Sequence, residues 1–428
     1  MKQAILSSLP TKVANIIVQL VLLPIYATAI GTERFSAYTN IVALLGFIGM
    51  ANLALGPATT LLLARNVDGD AEADRATVSA TSLIFVVSAA AELLILFGIL
   101  MVLPPQEWID PKFQPIMSEA VLAFWIVLGL NVLQRVGTVV EFIRLGHQEQ
   151  SVNNLAMGGA TVVMIAGLIV GRIYFPSLWL LPLLITGPIV IAAFLNGFFL
   201  FRGRRHLIPS RSALQKPILK DVLRINMASA VMYVADYLTL PAFIIIFTPL
   251  STVQAIAAVG VLMNVHRLAL GVMSTVTTPA YPALAQAVSA GDASWANRAV
   301  SKIRLLAIGY GACYLVGILL VGPWVVEKLY SPDFRPTQMH VLGFGIFFAL
   351  TAVEHGYYWY LVAFGREWLS AILMLCRGIG SVLACFVISR LWPGDPITLG
   401  LGIGVALTTI WAMPFFSARL SHTLDKPA

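Results

Sequence analysis

Apolar runs alternate with short clusters of glycine, proline and charge along the whole chain. They fall at roughly 5–30, 36–64, 78–103, 116–143, 153–174, 177–201, 220–248, 253–281, 299–322, 337–364, 368–390 and 396–418. A helix needs about 20 mostly apolar residues to cross a bilayer, so the pattern predicts about twelve transmembrane spans. Hydrocarbon admits only helices or closed barrels, and neither period-2 alternation nor barrel-length strands are evident. The predicted fold class is all-α, a polytopic membrane protein. The first run follows Lys2 and Lys12 and ends in Ala27-Thr28-Ala29, which mimics a signal-peptide cleavage site. Asn15, Gln19 and Pro24 interrupt it, so it is read as the first span.

Composition agrees, with 59% hydrophobic and 11% charged residues in 428 and a mean hydropathy of +0.87. A net charge of +7 is read loop by loop for orientation, not as a nucleic-acid signature. Seventeen basic residues lie at the two ends and in the even-numbered loops, against six (Arg34, Lys112, Arg172, Lys328, Arg335 and Arg390) in the odd-numbered ones. The positive-inside rule then places both termini in the cytoplasm. The most basic loop, 202–219, divides the chain near its midpoint and reads as a topogenic linker beside anionic headgroups.

The halves 1–201 and 220–428 look related. Leu53-Ala54-Leu55-Gly56 recurs as Leu268-Ala269-Leu270-Gly271, and Gly69-Asp70-Ala71 as Gly291-Asp292-Ala293. Both pairs fall at equivalent spans or loops. The expectation is two six-helix bundles around a central cavity, as in parallel-repeat transporters.

Three arginines interrupt apolar spans. An arginine at the bilayer centre costs about 2.5–3.5 kcal/mol on insertion scales, which a water-filled cavity or an acidic partner offsets. Arg267 shares a stripe with Asn264, Gly271, Ser274 and Thr278 in the eighth span. Arg377 and Arg135 sit closer to the ends of the eleventh and fourth. All three are candidate substrate-binding cations, because guanidinium stays charged and fits phosphate oxygens in bidentate geometry. Asn264, Ser274, Asn15, Gln19, Tyr233 and Tyr357 are candidate cavity-lining residues. Asp236, Glu354 and Glu141 are candidate ion-coupling acids, or neutralisers of neighbouring arginines, with Asp236 the expected partner of Arg267. Glu92 has only Ser88 beside it and reads as structural or protonated. Cys313, Cys376 and Cys385 lack metal-ligand spacing, and neither a metal site, a nucleophile motif nor a phosphate-cradling loop appears.

Several segments resemble the polysaccharide-transporter branch of the multidrug/oligosaccharidyl-lipid/polysaccharide (MOP) superfamily, the Wzx-type flippases. They are Pro24-Ile25-Tyr26 followed by Ile30-Gly31-Thr32-Glu33-Arg34-Phe35 and Asn52-Leu53-Ala54-Leu55-Gly56, then Tyr233-Val234-Ala235-Asp236-Tyr237, Pro279-Ala280-Tyr281-Pro282-Ala283-Leu284 with Gly291-Asp292, and Gly322-Pro323 with Leu329-Tyr330-Ser331-Pro332-Asp333-Phe334. Ser36 and Asn52 depart from the glycine and aspartate usual there. The resemblance implies a transporter, not an enzyme, that moves an undecaprenyl-diphosphate-linked oligosaccharide to the outer leaflet. It implies no cofactor beyond a proton or sodium gradient. Its partners would be lipid-linked oligosaccharide, membrane lipids and other polysaccharide-assembly proteins, with no nucleic acid. A cation-coupled multidrug antiporter of the same superfamily is the alternative, and a membrane polymerase or ligase a more distant one.

Overall fold

In the computed structural model, residues 10, 13, 14, 16–48, 56–66, 70–289 and 292–424 are described, and all regular structure among them is helical. A π-helical turn, Val18–Leu22, leads into α1 (Leu23–Ile30). It is followed by α2 (Thr32–Ile48), α3 (Gly56–Arg65), α4 (Ala71–Val102), α5 (Met117–Gly146), α6 (Gln150–Tyr174) and α7 (Leu180–Gly203). The later helices are α8 (Lys216–Phe247), α9 (Val253–Ser289), α10 (Ala293–Leu329), α11 (Gln338–Ala363), α12 (Glu367–Leu391), α13 (Leu399–Leu407) and α14 (Thr409–Leu424). Ten segments among the described residues are long and apolar enough to cross a membrane. The first predicted span contains the shorter apolar helix Val18–Ile30, and the second corresponds to α2 with α3. This is a polytopic all-α membrane protein with about twelve spans.

Three helices outrun their apolar segments. α4 and α10 begin earlier than hydropathy suggests, because an aspartate caps each. Asp70 accepts from the Glu72 N–H at 2.9 Å, and Asp292 from the Trp295 N–H at 3.0 Å. α9 likewise continues to Ser289. Hydropathy marks the hydrocarbon, whereas a helix needs only its amides satisfied and runs on into water. The last span breaks at Thr408, between α13 and α14.

The helices form two compact units, Met1–Ile30 with Ile48–Ala230, and Gly31–Phe47 with Val231–Ala428. In the first, Leu63, Val78, Val140, Ile143, Leu200 and Leu207 make one apolar cluster. Leu207 thereby pins the basic 202–219 segment to this unit, and the Ser210 N–H donates to Ser79 Oγ at 3.0 Å. In the second, Ala269, Met273, Ala307, Phe348 and Ala352 pack together. The larger part of α2 belongs to this second unit because its buried face fits there. Ser36, fully buried where the resembled family has glycine, reaches the carbonyls of Thr32 and Val253 at 2.7 and 2.8 Å. Phe35 packs against Tyr330 and Phe334.

Repetition is visible inside the units. Asp70 and Asp292, members of the repeated Gly-Asp-Ala segments, play the same capping role. The turn after α5 has Gln148 at φ 60°, and the turn after α11 has Gly365 at φ 71°. Their hydrogen bonds match, with Gln148 N–H to Leu145 O and Gly365 N–H to Val362 O both 3.0 Å. Phe113 and Phe334 are buried in 3-10 turns that begin Asp110-Pro111 and Ser331-Pro332. Leu53–Leu55, Gly69 and Gly291 lie outside the described residues.

Glycine pairs set the closest approach in the second unit. Gly400 and Gly404, four residues apart on α13, face Cys385 and Ser381 on α12. A Cβ on Gly404 would stand 2.3 Å from the Ser381 backbone, whereas one on Gly309 would meet nothing within 4 Å. Gly404→Ala is therefore expected to destabilise by about 1–3 kcal/mol, with Gly309→Ala neutral or mildly stabilising. Melting temperatures in detergent check the contrast, and equal values would refute the close packing.

Candidate functional site

Among the described residues, the densest charge cluster within the apolar spans lies in the second unit. Arg377, on α12, is 6% exposed. Its Nη1 donates to Glu354 Oε2 on α11 at 2.6 Å, and its Nη2 donates to Asp236 Oδ1 on α8. The neighbouring glycine makes this possible, since a Cβ on Gly378 would lie 2.6 Å from the Ala235 carbonyl oxygen. α12 and α8 touch backbone to backbone there, which sets Arg377 beside Asp236. The expected Asp236–Arg267 partnership is thus corrected, because Asp236 belongs to Arg377. Sequence periodicity gives the face of a residue but not the helix opposite.

Two histidines adjoin the cluster. His266 is buried, its ring stacked on Phe347 at 5.0 Å with Phe348 edge-on at 5.4 Å, and it lies within electrostatic reach of Arg267 and Arg377. His355 Nε2 is 3.1 Å from Thr277 Oγ1. Tyr357 lies under the Arg304 guanidinium at 4.3 Å, and Arg304 also donates to Ser417. Arg304, one of the seventeen basic residues assigned to the ends and even-numbered loops, in fact joins α10, α11 and α14.

Arg267 contrasts with Arg377. Its side chain is exposed, and among the described residues it makes no ion pair or hydrogen bond. It lies about 20 Å along α9 from Val253, at 1.5 Å per residue. Hydrocarbon penalises an exposed cation at that depth. Asn264 and Ser274, on the same stripe, are half-buried, and Ser274 Oγ donates to the Gly271 carbonyl at 2.8 Å. The side chain of Thr278 lies outside the described residues.

In the first unit, Arg135 on α5 is bound to Glu92 on α4. Glu92 is thus an ion-pair partner within the first unit. Glu141 is half-buried, and its backbone carbonyl accepts from Asn153 Nδ2 at 3.0 Å. Gln19 is half-buried and Tyr233 is 44% exposed. Asn15 and Lys12 lie outside the described residues. A network absent from the sequence reading links Arg144 and Arg204 through Glu149, with Arg144 Nη1 at 2.7 Å. Its sequence signal is the single acid, Glu149, in the turn that follows Arg144 and His147. In the same turn, burial holds the His147 imidazole below its ordinary pKa, against the pull of Asp74 at 3.7 Å. Outside the spans, the Trp295 N–H and Ser294 hydroxyl hold the Asp292 carboxyl below its usual range. Cys313, Cys376 and Cys385 are free thiols, and no metal-ligand cluster occurs among the described residues.

By sequence, no family model and no curated protein matches the chain. By structure, it is similar to an inward-facing multidrug resistance MATE family transporter of the MOP superfamily (TM-score 0.72, 14% identity, covering 98% of this chain and 99% of that one). This is a MATE-type transporter fold. An outward-facing MATE transporter matches with TM-score 0.70 and 17% identity, covering 99% and 96% of the two chains. A third similar structure is a MOP superfamily transporter from Pyrococcus furiosus, in which reverse polarity of the binding pocket suggests a different function (TM-score 0.73, 14% identity, 99% and 96% covered). The fold carries about twelve spans, and Arg267 and the Arg377 cluster both belong to the second compact unit.

Proposed function

We propose that the chain is a flippase that moves an undecaprenyl-diphosphate-linked oligosaccharide from the cytoplasmic to the outer leaflet by alternating access, for surface polysaccharide synthesis. The observation that carries this reading is Arg267, an exposed intramembrane cation with no acidic partner among the described residues. Arg377 and Arg135 carry their own carboxylates, so Arg267 is the arginine left to meet a diphosphate. The Wzx-type resemblance supplies the lipid-linked oligosaccharide. The Pyrococcus furiosus transporter supports a pocket of unusual polarity on this fold. The basic-residue bias favours cytoplasmic termini, and the Wzx-type resemblance implies a bacterial inner membrane. Asp236, Glu354 and Glu141 remain the acids through which a proton or sodium gradient would act.

The multidrug neighbours favour a second reading, a cation-coupled drug antiporter. Such a pump should present acids to its cationic cargo, yet the exposed acid of the cluster, Asp236, is bound to Arg377. Loss of the chain is expected to leave labelled lipid-linked oligosaccharide accessible only from the cytoplasmic side. Normal outer-leaflet arrival without a redundant transporter refutes the flippase reading.

A further inference from the structure

The two carboxylates that hold Arg377 are not equivalent. The Glu354 side chain is 2% exposed and that of Asp236 is 59% exposed. Asp236 lies about 16 Å from the Phe247 end of α8, at 1.5 Å per residue, so its exposed carboxylate faces water rather than lipid. Glu354 fixes one Nη of the guanidinium from the buried side, and Asp236 covers the other from the wet side.

We propose that Asp236 is an exchangeable counter-ion. A phosphate or diphosphate group displaces it from Arg377, while Glu354 keeps the guanidinium in place. The inference rests on the anionic-substrate reading and deepens it by adding a second, masked cation to Arg267. Solvation favours the exchange. Arg377 keeps two anionic partners, Glu354 and the incoming phosphate, while the displaced Asp236 carboxylate, 59% exposed, is left to water. No unpaired charge is left buried, which is the costly outcome for ions inside a protein. The guanidinium fork that meets a carboxylate also fits phosphate oxygens. Selectivity follows, because a ligand must out-compete a tethered carboxylate. A halide with one contact fails where a diphosphate with several succeeds.

The test is titration of purified protein with inorganic pyrophosphate, followed calorimetrically, alongside melting temperatures. Asp236→Asn should bind pyrophosphate about 5- to 150-fold more tightly than the unmodified chain, the usual range for coupled sites. Its melting temperature should change far less than that of Glu354→Gln, and Asp236→Glu should bind like the unmodified chain. Unchanged or weaker binding by Asp236→Asn overturns the exchange, as does a melting loss equal to that of Glu354→Gln, since Asp236 would then be structural. If Arg267→Ala abolishes pyrophosphate binding while Asp236→Asn leaves it unchanged, the anionic reading stands and the exchange falls. If no variant binds pyrophosphate and a lipophilic cation binds instead, the anionic reading itself falls.

Discussion

Arg377→Ala is expected to destabilise the protein by about 3–5 kcal/mol, the usual cost of removing one partner from a buried ion pair. The substitution strands Glu354, 97–98% hidden from solvent by its 2–3% exposure, with a charge that hydrocarbon and packed helices cannot solvate. Exposed ion pairs contribute only about 0–1 kcal/mol, so the asymmetry between Glu354 and Asp236 decides the size of the effect. Replacing Arg377 and Glu354 together by methionine should recover much of the loss, because two apolar side chains leave no unpaired charge. Thermal melting and membrane abundance of the single and double variants check this. A single variant that melts like the unmodified chain would contradict the buried pairing.

The span pattern was legible because hydrocarbon imposes length and apolarity on every crossing. The eighth predicted span starts at the first residue of α9, Val253, and most others start within a few residues of their helices. The aspartate caps of α4 and α10 were also visible, as the repeated Gly-Asp-Ala, although their capping role emerged only with the structure. What sequence could not give was pairing. Arg377 meets Asp236 across 141 residues, and Arg135 meets Glu92 across 43. Helical period assigns a face but leaves the neighbouring helix undetermined. The grouping of Gly31–Phe47 with the later helices was hidden for the same reason. Its adhesion depends on Ser36 and Phe35 contacts to residues near 253 and 330, which chain order does not foretell. The Asp110-Pro111-Lys112-Phe113 and Ser331-Pro332-Asp333-Phe334 turns could have been paired by motif, but two matching positions in four are a weak signal.

Arg267→Ala should behave in the opposite way to Arg377→Ala. Transport is lost while stability stays within about 0.5 kcal/mol, the range for side chains outside any packed or paired feature. Arg267 is exposed and lacks an ion-pair partner among the described residues, so its removal strands no buried acid. Neutralising Asp236 should not rescue the variant, because that carboxylate serves Arg377. Arg267→Lys keeps the charge and loses the planar fork. Its residual transport therefore measures how much of the interaction is bidentate phosphate contact and how much is charge alone. A melting loss in Arg267→Ala as large as that in Arg377→Ala would assign Arg267 a structural role.

Leaflet-resolved transport in liposomes reaches the central claim most directly, with purified protein, a labelled undecaprenyl-diphosphate-linked oligosaccharide and an impermeant reagent that modifies only the outer leaflet. The unmodified chain is expected to expose the label to the reagent, and Arg267→Ala to leave it at the protein-free level. A lipid that stays in its original leaflet with the unmodified chain, while an ion gradient drives export of a lipophilic cation by the same liposomes, would contradict the flippase assignment.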